Sequence, residues 1–329
     1  MARVTHKVVV VDCDHESLDI ERDLAAQRGI ELESAQCRTE DEVIAAAADA
    51  DAVLVQYAPI TARVLDRLPA VRAIGRYGVG IDTIDVAAAT ARGVAVSNVP
   101  DYGTEDVSDH ALALALALSR GLIELDRGIR AGSHDQVPAK PLHRFATRVF
   151  GIVGLGLIGR AAGRKAAVLG FTVIGCDPCQ VPGTRTSEGF EVVSFDDVLR
   201  RSDVLSLHVP LGPDTHHLID ADALAAMKPT AVLVNTCRGG VVDTAALVAA
   251  LTTGGLKAAG LDVLEEDPVP ADHPIARLDN VILTPHIAWY SEESYGELKY
   301  RTLENVADVL AGRRPRNILN PEVLAGLEI

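Results

Sequence analysis

The sequence predicts an α/β protein made of two doubly wound parallel sheets. Three observations carry this. Short runs rich in Val, Ile and Leu alternate with helix-like stretches along almost the whole chain, and strands separated by single helices pair in parallel with right-handed crossovers. The chain has 329 residues, 48% of them hydrophobic, which suits two cores better than one. A glycine-rich turn of the kind that opens a nucleotide-binding sheet begins only at Gly154. A separate α/β sheet therefore precedes it.

In the first part, strands are expected at Val8–Val11, Ala52–Val55, Val71–Ile74 and Val94–Val96, with a weaker one near Leu32. Between them lie "ESLDIERDLAAQRG", "TEDEVIAAAAD", "ITARVLDRLP" and "IDVAAATARG", several ending in the Gly or Pro that stops a helix. One long helix is expected from about Glu105 to Ile129. Its Ala/Leu pattern is apolar on most sides, which marks a buried helix. Past the loop "GSHDQVPAKP" the alternation resumes, with strands at Val149–Val153, Phe171–Cys176, Val204–Val209, Ala231–Thr236, Ala258–Val263 and Val281–Thr284. A last helix, about Ser291 to Leu310, precedes a Pro/Asn-rich tail.

Composition narrows the function. A formal net charge of −15 argues against nucleic acid and anionic membrane surfaces, which need a basic face. An anionic substrate would then be held by a few placed arginines. No N-terminal targeting pattern and no span long enough for a bilayer is visible, and five cysteines fit a reduced cytoplasmic protein. Cys176 and Cys179 form a lone C-x-x-C, too few ligands for a zinc site. No metal centre is expected.

The segment "VFGIVGLGLIGRAAGRKAAVLGFTVIGCDP" holds the strongest signal. Gly154, Gly156 and Gly159 spell G-x-G-x-x-G between a strand pattern and a helix pattern. The first glycine permits the tight turn, the second lets a pyrophosphate approach the backbone, and the third lets helix pack on strand. The helix N-terminus then faces the phosphates. Eighteen residues past Gly159, Asp177 ends the next strand pattern. A carboxylate there accepts from ribose hydroxyls and repels a 2′-phosphate, which favours NAD over NADP, although Arg185 lies nearby.

Further chemistry lies at later strand ends, where ligands bind in such sheets. "LVNTCRGGVVD" puts Arg238 after one strand, "GLDVLEEDPVP" puts acids after the next, and "ILTPHIAWYS" puts His286 after the last. A cation, an acid and an imidazole are what hydride transfer to a 2-oxo acid requires beside the nicotinamide.

With these segments, and with "GRYGVGIDTIDVAAATARGVAVSNVPDYGTEDVSDHALAL", "LHVPLGPDTHHLI" and "MKPTAVLVNTCRGGVVD", the chain resembles the D-isomer-specific 2-hydroxyacid dehydrogenases over nearly its whole length. "HIAWYS" and "NVPDYGTEDVSDH" are more similar to the C-terminal-binding-protein branch than to the phosphoglycerate branch. The resemblance implies a Rossmann NAD domain, 103–289, inserted in a flavodoxin-like substrate domain, 1–102 with 290–329. The crossings would fall near Pro100–Thr104 and Ala288–Ser291. It implies a homodimer joined through the nucleotide domain and its long helix, and reduction of a 2-oxo acid to a D-2-hydroxy acid.

By that resemblance His286 donates the proton in reduction and accepts it in oxidation. Arg238 binds the substrate carboxylate, and the backbone around Gly78, Val79 and Gly80 completes an anion cradle. The family's acid holds the histidine protonated. The motif usually ends Glu-Pro, and here Asp267 precedes Pro268, so the acid is Asp267, one methylene shorter, or else Glu266. The implied cofactor contacts are Val107, Gly154, Gly156, Leu157, Ile158, Gly159, Asp177, His208, Val209, Pro210, Thr215, Thr236, Cys237, Arg238, Asp262, His286 and Ala288. Arg76, Tyr77 and the single tryptophan, Trp289, are expected on the substrate side chain, and a second cation at Arg76 would suit a further acidic group. Trp289 also reads as an aromatic plug at the hinge, and Arg76 as a solvated strand-end arginine. Tyr102 is a further candidate for the same pocket, and His216 and His217 read as surface or cofactor-loop residues. An NAD(H)-sensing corepressor-like protein and a 3-phosphoglycerate dehydrogenase are the competing readings.

Overall fold

A computed structural model describes residues 6–266 and 268–326. The chain divides into two compact units, Met1–Tyr102 with Ser291–Ile329, and Gly103–Tyr290.

The first unit carries five strands, β1 (His6–Val10), β2 (Ile30–Ser34), β3 (Ala52–Val55), β4 (Ala73–Arg76) and β5 (Ala95–Ser97). They pair in parallel in the order β2-β1-β3-β4-β5, the flavodoxin-like order. Four helices make the crossovers: α1 (Asp19–Arg28), α2 (Glu40–Ala46), α3 (Ala62–Arg67) and α4 (Val86–Ala91). Their starts are written locally. Thr39 and Glu42 form a reciprocal cap on α2, and Thr61 and Asp85 cap the next two. The C-terminal helix, Glu292–Leu310, packs on α1 and β4. Val8–Val10 of β1 and all of β3 are buried on both faces, so they read as unbroken apolar runs.

At the switch point between β1 and β3, where this topology would receive a ligand, the chain fills the space itself. The buried Asp12 carboxylate accepts from the N–H groups of Gln56 (2.9 Å), Tyr57 (2.6 Å) and Ala58 (3.0 Å).

The second unit has seven parallel strands: β6 (Val149–Val153), β7 (Thr172–Cys176), β8 (Glu191–Val192), β9 (Val204–Leu207), β10 (Val232–Asn235), β11 (Ala258–Leu261) and β12 (Val281–Leu283). Their order is β12-β11-β10-β9-β6-β7-β8. Counted from β6, this is the Rossmann order with one more strand, and its switch point lies between β6 and β9. Strand β8 was not legible, because only two residues pair and no apolar run marks it.

The single helix expected from Glu105 to Ile129 is two helices, α5 (Thr104–Ser119) and α6 (Leu122–Arg130). The break is at Gly121, which takes a left-handed φ of 62° and leaves no room for a side chain against Ala139. Only α5 is core, burying Ala111, Leu114, Ala115 and Leu118, whereas α6 has no buried residue. Among the described residues no helix is long and apolar enough to cross a membrane.

Candidate active site

Two of the three glycines are required by the fold itself. Gly154 turns with φ +96°, and a Cβ there would strike the His208 carbonyl across the switch point. A Cβ on Gly159 would strike the Gly154 carbonyl, so this glycine lets α7 (Leu157–Val168) close on β6. Gly156 is different. It precedes α7, and a Cβ on it would meet nothing within 4 Å. The chain itself therefore does not require a glycine at this position, and the space beside it is open, as the approach of a pyrophosphate to the backbone needs. Leu157 is exposed beside it and Ile158 half-buried.

Asp177 follows β7, and its carboxylate is tied into this turn. One oxygen accepts from Leu155 N–H and the other from Cys179 N–H, both at 2.8 Å. Each oxygen keeps a lone pair for a ribose hydroxyl. Arg185, exposed beyond it, donates to the Gly189 carbonyl. The C-x-x-C splits: Cys176 is buried, with its thiol pushed up to about 12 by desolvation, and Cys179 is exposed.

Beyond β9, His208 bonds Ser206 Oγ through Nε2 at 2.9 Å, and desolvation pushes its imidazole down to about 4. Val209 and Pro210 continue into a turn closed by Thr215, whose hydroxyl donates to the Pro210 carbonyl and accepts from Gly212 N–H. Val107 is buried on α5. Thr236, at the end of β10, has a buried hydroxyl without a hydrogen-bond partner among the described residues. Such a group normally has a partner. With the open face at Gly156 and the acceptor at Asp177, it makes a donor and acceptor set that fits a nicotinamide dinucleotide.

Strands β10, β11 and β12 are adjacent and parallel, so three neighbouring ends open on one edge. Arg238 leaves β10 in extended conformation, with Nη1 donating to the Cys237 carbonyl at 2.7 Å. Asn235 Nδ2 holds the Arg238 carbonyl at 2.9 Å and Asn235 Oδ1 takes the Cys237 N–H at 3.0 Å, which shapes this turn. The loop after β11 carries the acids. Glu265 accepts from Thr244 N–H at 2.7 Å and lies 2.6 Å from His217 Nε2. Glu266 is exposed. Asp267 lies outside the described residues.

His286 follows β12 with φ +54°, in the left-handed region. A non-glycine residue held there is strained and tends to mark a functional position. Asp262 organises this turn. Its Oδ1 accepts from Thr284 Oγ1 (2.6 Å) and Ile287 N–H (2.9 Å), and its Oδ2 accepts from Ala288 N–H (2.9 Å). His110 on α5 adds a bond from Nε2 to Thr284 Oγ1 at 3.0 Å. The family resemblance implies Asp262 as a cofactor contact; in the structure both its oxygens are engaged by the His286 loop. The parts played by Thr284 and His110 were missed. Nothing in local pattern marks a pairing across 174 residues. Trp289 is half-buried, edge-on to Tyr290 with centroids 5.7 Å apart.

The first unit presents its own turn after β4. Arg76, half-buried, donates to the Tyr77 carbonyl. Tyr77 is buried and donates to Glu21 Oε1 at 3.0 Å, so it is core and not an open pocket wall. Gly78 has φ +118° and no space for a Cβ against the Arg76 guanidinium. The Gly78 carbonyl accepts from Val99 N–H (3.0 Å) and the Val79 carbonyl from Asn98 Nδ2 (2.7 Å). Because a trans peptide sets C=O and N–H in opposite directions, the Val79 and Gly80 N–H groups point away from Asn98 and Val99. Two successive N–H groups so turned suit a carboxylate.

Residues 112–288 match the family described as D-isomer specific 2-hydroxyacid dehydrogenase, NAD binding domain. The chain is 40% identical over 270 residues to a glyoxylate reductase of Korarchaeum cryptofilum, covering 81% of each. It is 41% identical over 272 residues to a D-3-phosphoglycerate dehydrogenase of Mycobacterium leprae, covering 82% of this chain and 51% of the relative, about half its length. The crystal structure of D-lactate dehydrogenase with NAD+ from Lactobacillus jensenii is similar, with TM-score 0.80 and 28% identity over 95% of this chain and 99% of that one.

Proposed function

Because the chain belongs to the D-isomer-specific 2-hydroxyacid dehydrogenase family, whose members are NAD-dependent oxidoreductases, we propose that it reversibly reduces a 2-oxo acid to the D-2-hydroxy acid. The observation that supports this reading is that Arg238, an acid-bearing loop and His286 follow β10, β11 and β12, three neighbouring parallel strands of the sheet whose β6 end carries the glycine turn. NAD, when bound, supplies the hydride in reduction and takes it in oxidation. Gly156, Leu157 and Ile158 hold its phosphates, Asp177 its adenosine ribose, and Thr236 and its neighbours Cys237 and Val209 the remainder.

Arg238 takes the substrate carboxylate with a charge-assisted bond and draws charge toward the carbonyl oxygen. His286 gives its proton to that oxygen as it becomes a hydroxyl, and accepts it in the reverse direction. An acid from the loop after β11, Asp267 or Glu266, keeps the imidazole charged through its opposite charge. Gly78, Val79 and Gly80 offer backbone donors to an anion, and Arg76 a second cation for a substrate with a further acidic group. Trp289 sets the apolar limit of the side-chain pocket.

The "HIAWYS" ending supports the C-terminal-binding-protein-like branch, whereas the relatives above are a glyoxylate reductase and a phosphoglycerate dehydrogenase. Oxidation of 3-phosphoglycerate is the second reading, favoured by that 41% identity. Exposed Leu122, Ile129 and Val137 on and beside α6 support a homodimer. The acidic net charge and the unpaired cysteines support a cytoplasmic protein that binds neither nucleic acid nor membrane.

The deciding experiment follows NADH absorbance with a panel of 2-oxo acids, half of them carrying a second carboxylate, phosphate or phosphonate. Turnover of at least one, with the D product, is expected. No turnover of any member, together with NADH-dependent assembly, would favour a nucleotide sensor.

A further inference from the structure

His216 and His217 sit in the turn after β9, and neither has a part in the reaction above. In an extended chain adjacent side chains point to opposite faces. Here they do not. His217 takes φ +51°, and its ring stacks on that of His216 with centroids 4.0 Å apart. Two chain neighbours thereby present their nitrogens to the same side. Left-handed backbone at a non-glycine residue is strained and persists where the surroundings impose it. The His217 N–H donates to the Gly240 carbonyl at 2.8 Å, which fixes this conformation.

Glu265 arrives from the loop after β11. Its Oε1 lies 2.6 Å from His217 Nε2, and one ligand atom from each of His216, His217 and Glu265 lies within 4.8 Å of the others. The side chains of His217 and Glu265 are 35% and 30% exposed, so a hydrated ion can reach them. Asp243 Oδ2 lies 3.9 Å from His217 Nδ1, and Glu265, Asp243 and Asp220 all add negative charge around His217. We propose that His216, His217 and Glu265 form a binding site for a divalent transition cation of the zinc class.

The donor set points to that class. Two imidazoles and a carboxylate suit zinc, copper or nickel once the ion displaces to solvent the proton held between His217 and Glu265, whereas magnesium and calcium take oxygen ligands. Zinc holds nitrogen at roughly 2.0–2.1 Å and carboxylate oxygen at roughly 2.0–2.2 Å, so its tetrahedral ligand atoms stand about 3.3 Å apart. Two adjustments give this geometry: Glu265 withdraws its Oε1 by less than about 1 Å from His217 while its Oε2 keeps the bond from Thr244 N–H, and the exposed His216 ring turns out of its stack on His217 so that both rings point at the ion. The fourth position is left to water.

The site would act on the loops it joins. Leu264 and Glu265 rest their backbone on Gly239, where no side chain fits, next to Arg238. A cation would fasten the acid-bearing loop to the turn that follows β9 and to the peptide chain beside Arg238.

The test is calorimetric titration of the full, tag-free, chelator-dialysed protein with zinc, repeated on His216→Ala, His217→Ala and Glu265→Gln. Cobalt absorption reads the ligand field, and circular dichroism confirms that each variant is folded. One equivalent per chain is expected, weakened by about tenfold or more in each variant, since even an outer-shell partner contributes 10- to 100-fold to affinity. His134→Ala, on an exposed loop, leaves binding unchanged. The proposal is overturned if zinc gives no saturable binding, or if affinity is undiminished in His216→Ala or in His217→Ala.

Discussion

The main-chain N–H of His286 donates to the carbonyl oxygen of Asp262 at 2.9 Å, and the Asp262 carboxylate takes the next two N–H groups, of Ile287 and Ala288. One buried acid thus holds three consecutive residues of the turn that carries the imidazole. The strained φ of His286 persists because the turn is tied on both sides.

Asp262 is therefore expected to act by positioning. Asp262→Ala removes three hydrogen bonds to a buried carboxylate and should cost about 2–4 kcal/mol of stability. It should lower kcat by about tenfold or more while NADH affinity stays within about threefold. Parallel stopped-flow and fluorescence titrations check this. An equal loss in both would place the carboxylate in the nucleotide site instead.

The glycines of the turn should separate folding from binding. Gly154→Ala forces a side chain into the left-handed region and onto the His208 carbonyl, so the melting temperature should fall, for a loss of about 2 kcal/mol or more. Gly156→Ala meets nothing within 4 Å and should melt like the parent. It should weaken NADH by about tenfold or more, or 1.4 kcal/mol. Unchanged NADH affinity in Gly156→Ala would contradict a pyrophosphate at that turn.

His208 should make stability depend on acid. Its folded imidazole is held down to about 4, against about 6.5 in an unfolded chain. Between these values the unfolded state binds the proton and the folded state does not. Stability is thus flat above about pH 6.5, falls as pH drops toward 4 and levels off below it. Urea unfolding at about pH 7.5 and about pH 4.5 should differ by about 2 kcal/mol less in His208→Gln than in the parent. An identical difference would mean that the ring is protonated in the folded state.

In the first unit, Lys299 and Glu21 are an ion pair at 3.4 Å with neither side chain exposed, and Tyr77 donates to the same carboxylate. Removing one partner of a buried pair strands the other charge, so Lys299→Met should cost about 3–5 kcal/mol. Glu21→Gln combined with Lys299→Met should cost less than the two singly. Chemical denaturation measures both, and a near-neutral Lys299→Met would show that the pair is dispensable.

Much of the fold was legible because its signals are local. Alternating apolar runs marked both parallel sheets, and the glycine spacing marked the turn after β6. What was not legible depends on partners far away in the chain. The break at Gly121 is set by Ala139, the closure of the first switch point by Asp12 reaching Gln56, and the setting of the His286 turn by Asp262 and His110. Residue types at strand ends pointed to Arg238 and His286, but no periodicity shows which carboxylate holds a backbone and which meets a ligand. Asp177 and Asp262 both follow strands, and only the structure reveals that each gives both oxygens to hydrogen bonds within the turns around it, Asp177 to Leu155 and Cys179 and Asp262 to Thr284, Ile287 and Ala288.

The central claim is that His286 moves the substrate proton. Asn adopts left-handed backbone more readily than most residues, so His286→Asn keeps the φ of +54° while removing the titrating ring. Single-turnover oxidation of NADH by the best 2-oxo acid is the direct measurement. The expected result is unchanged melting and NADH binding with the rate lowered about 10²- to 10⁴-fold, the usual contribution of a general acid. A rate within about threefold of the parent would contradict it.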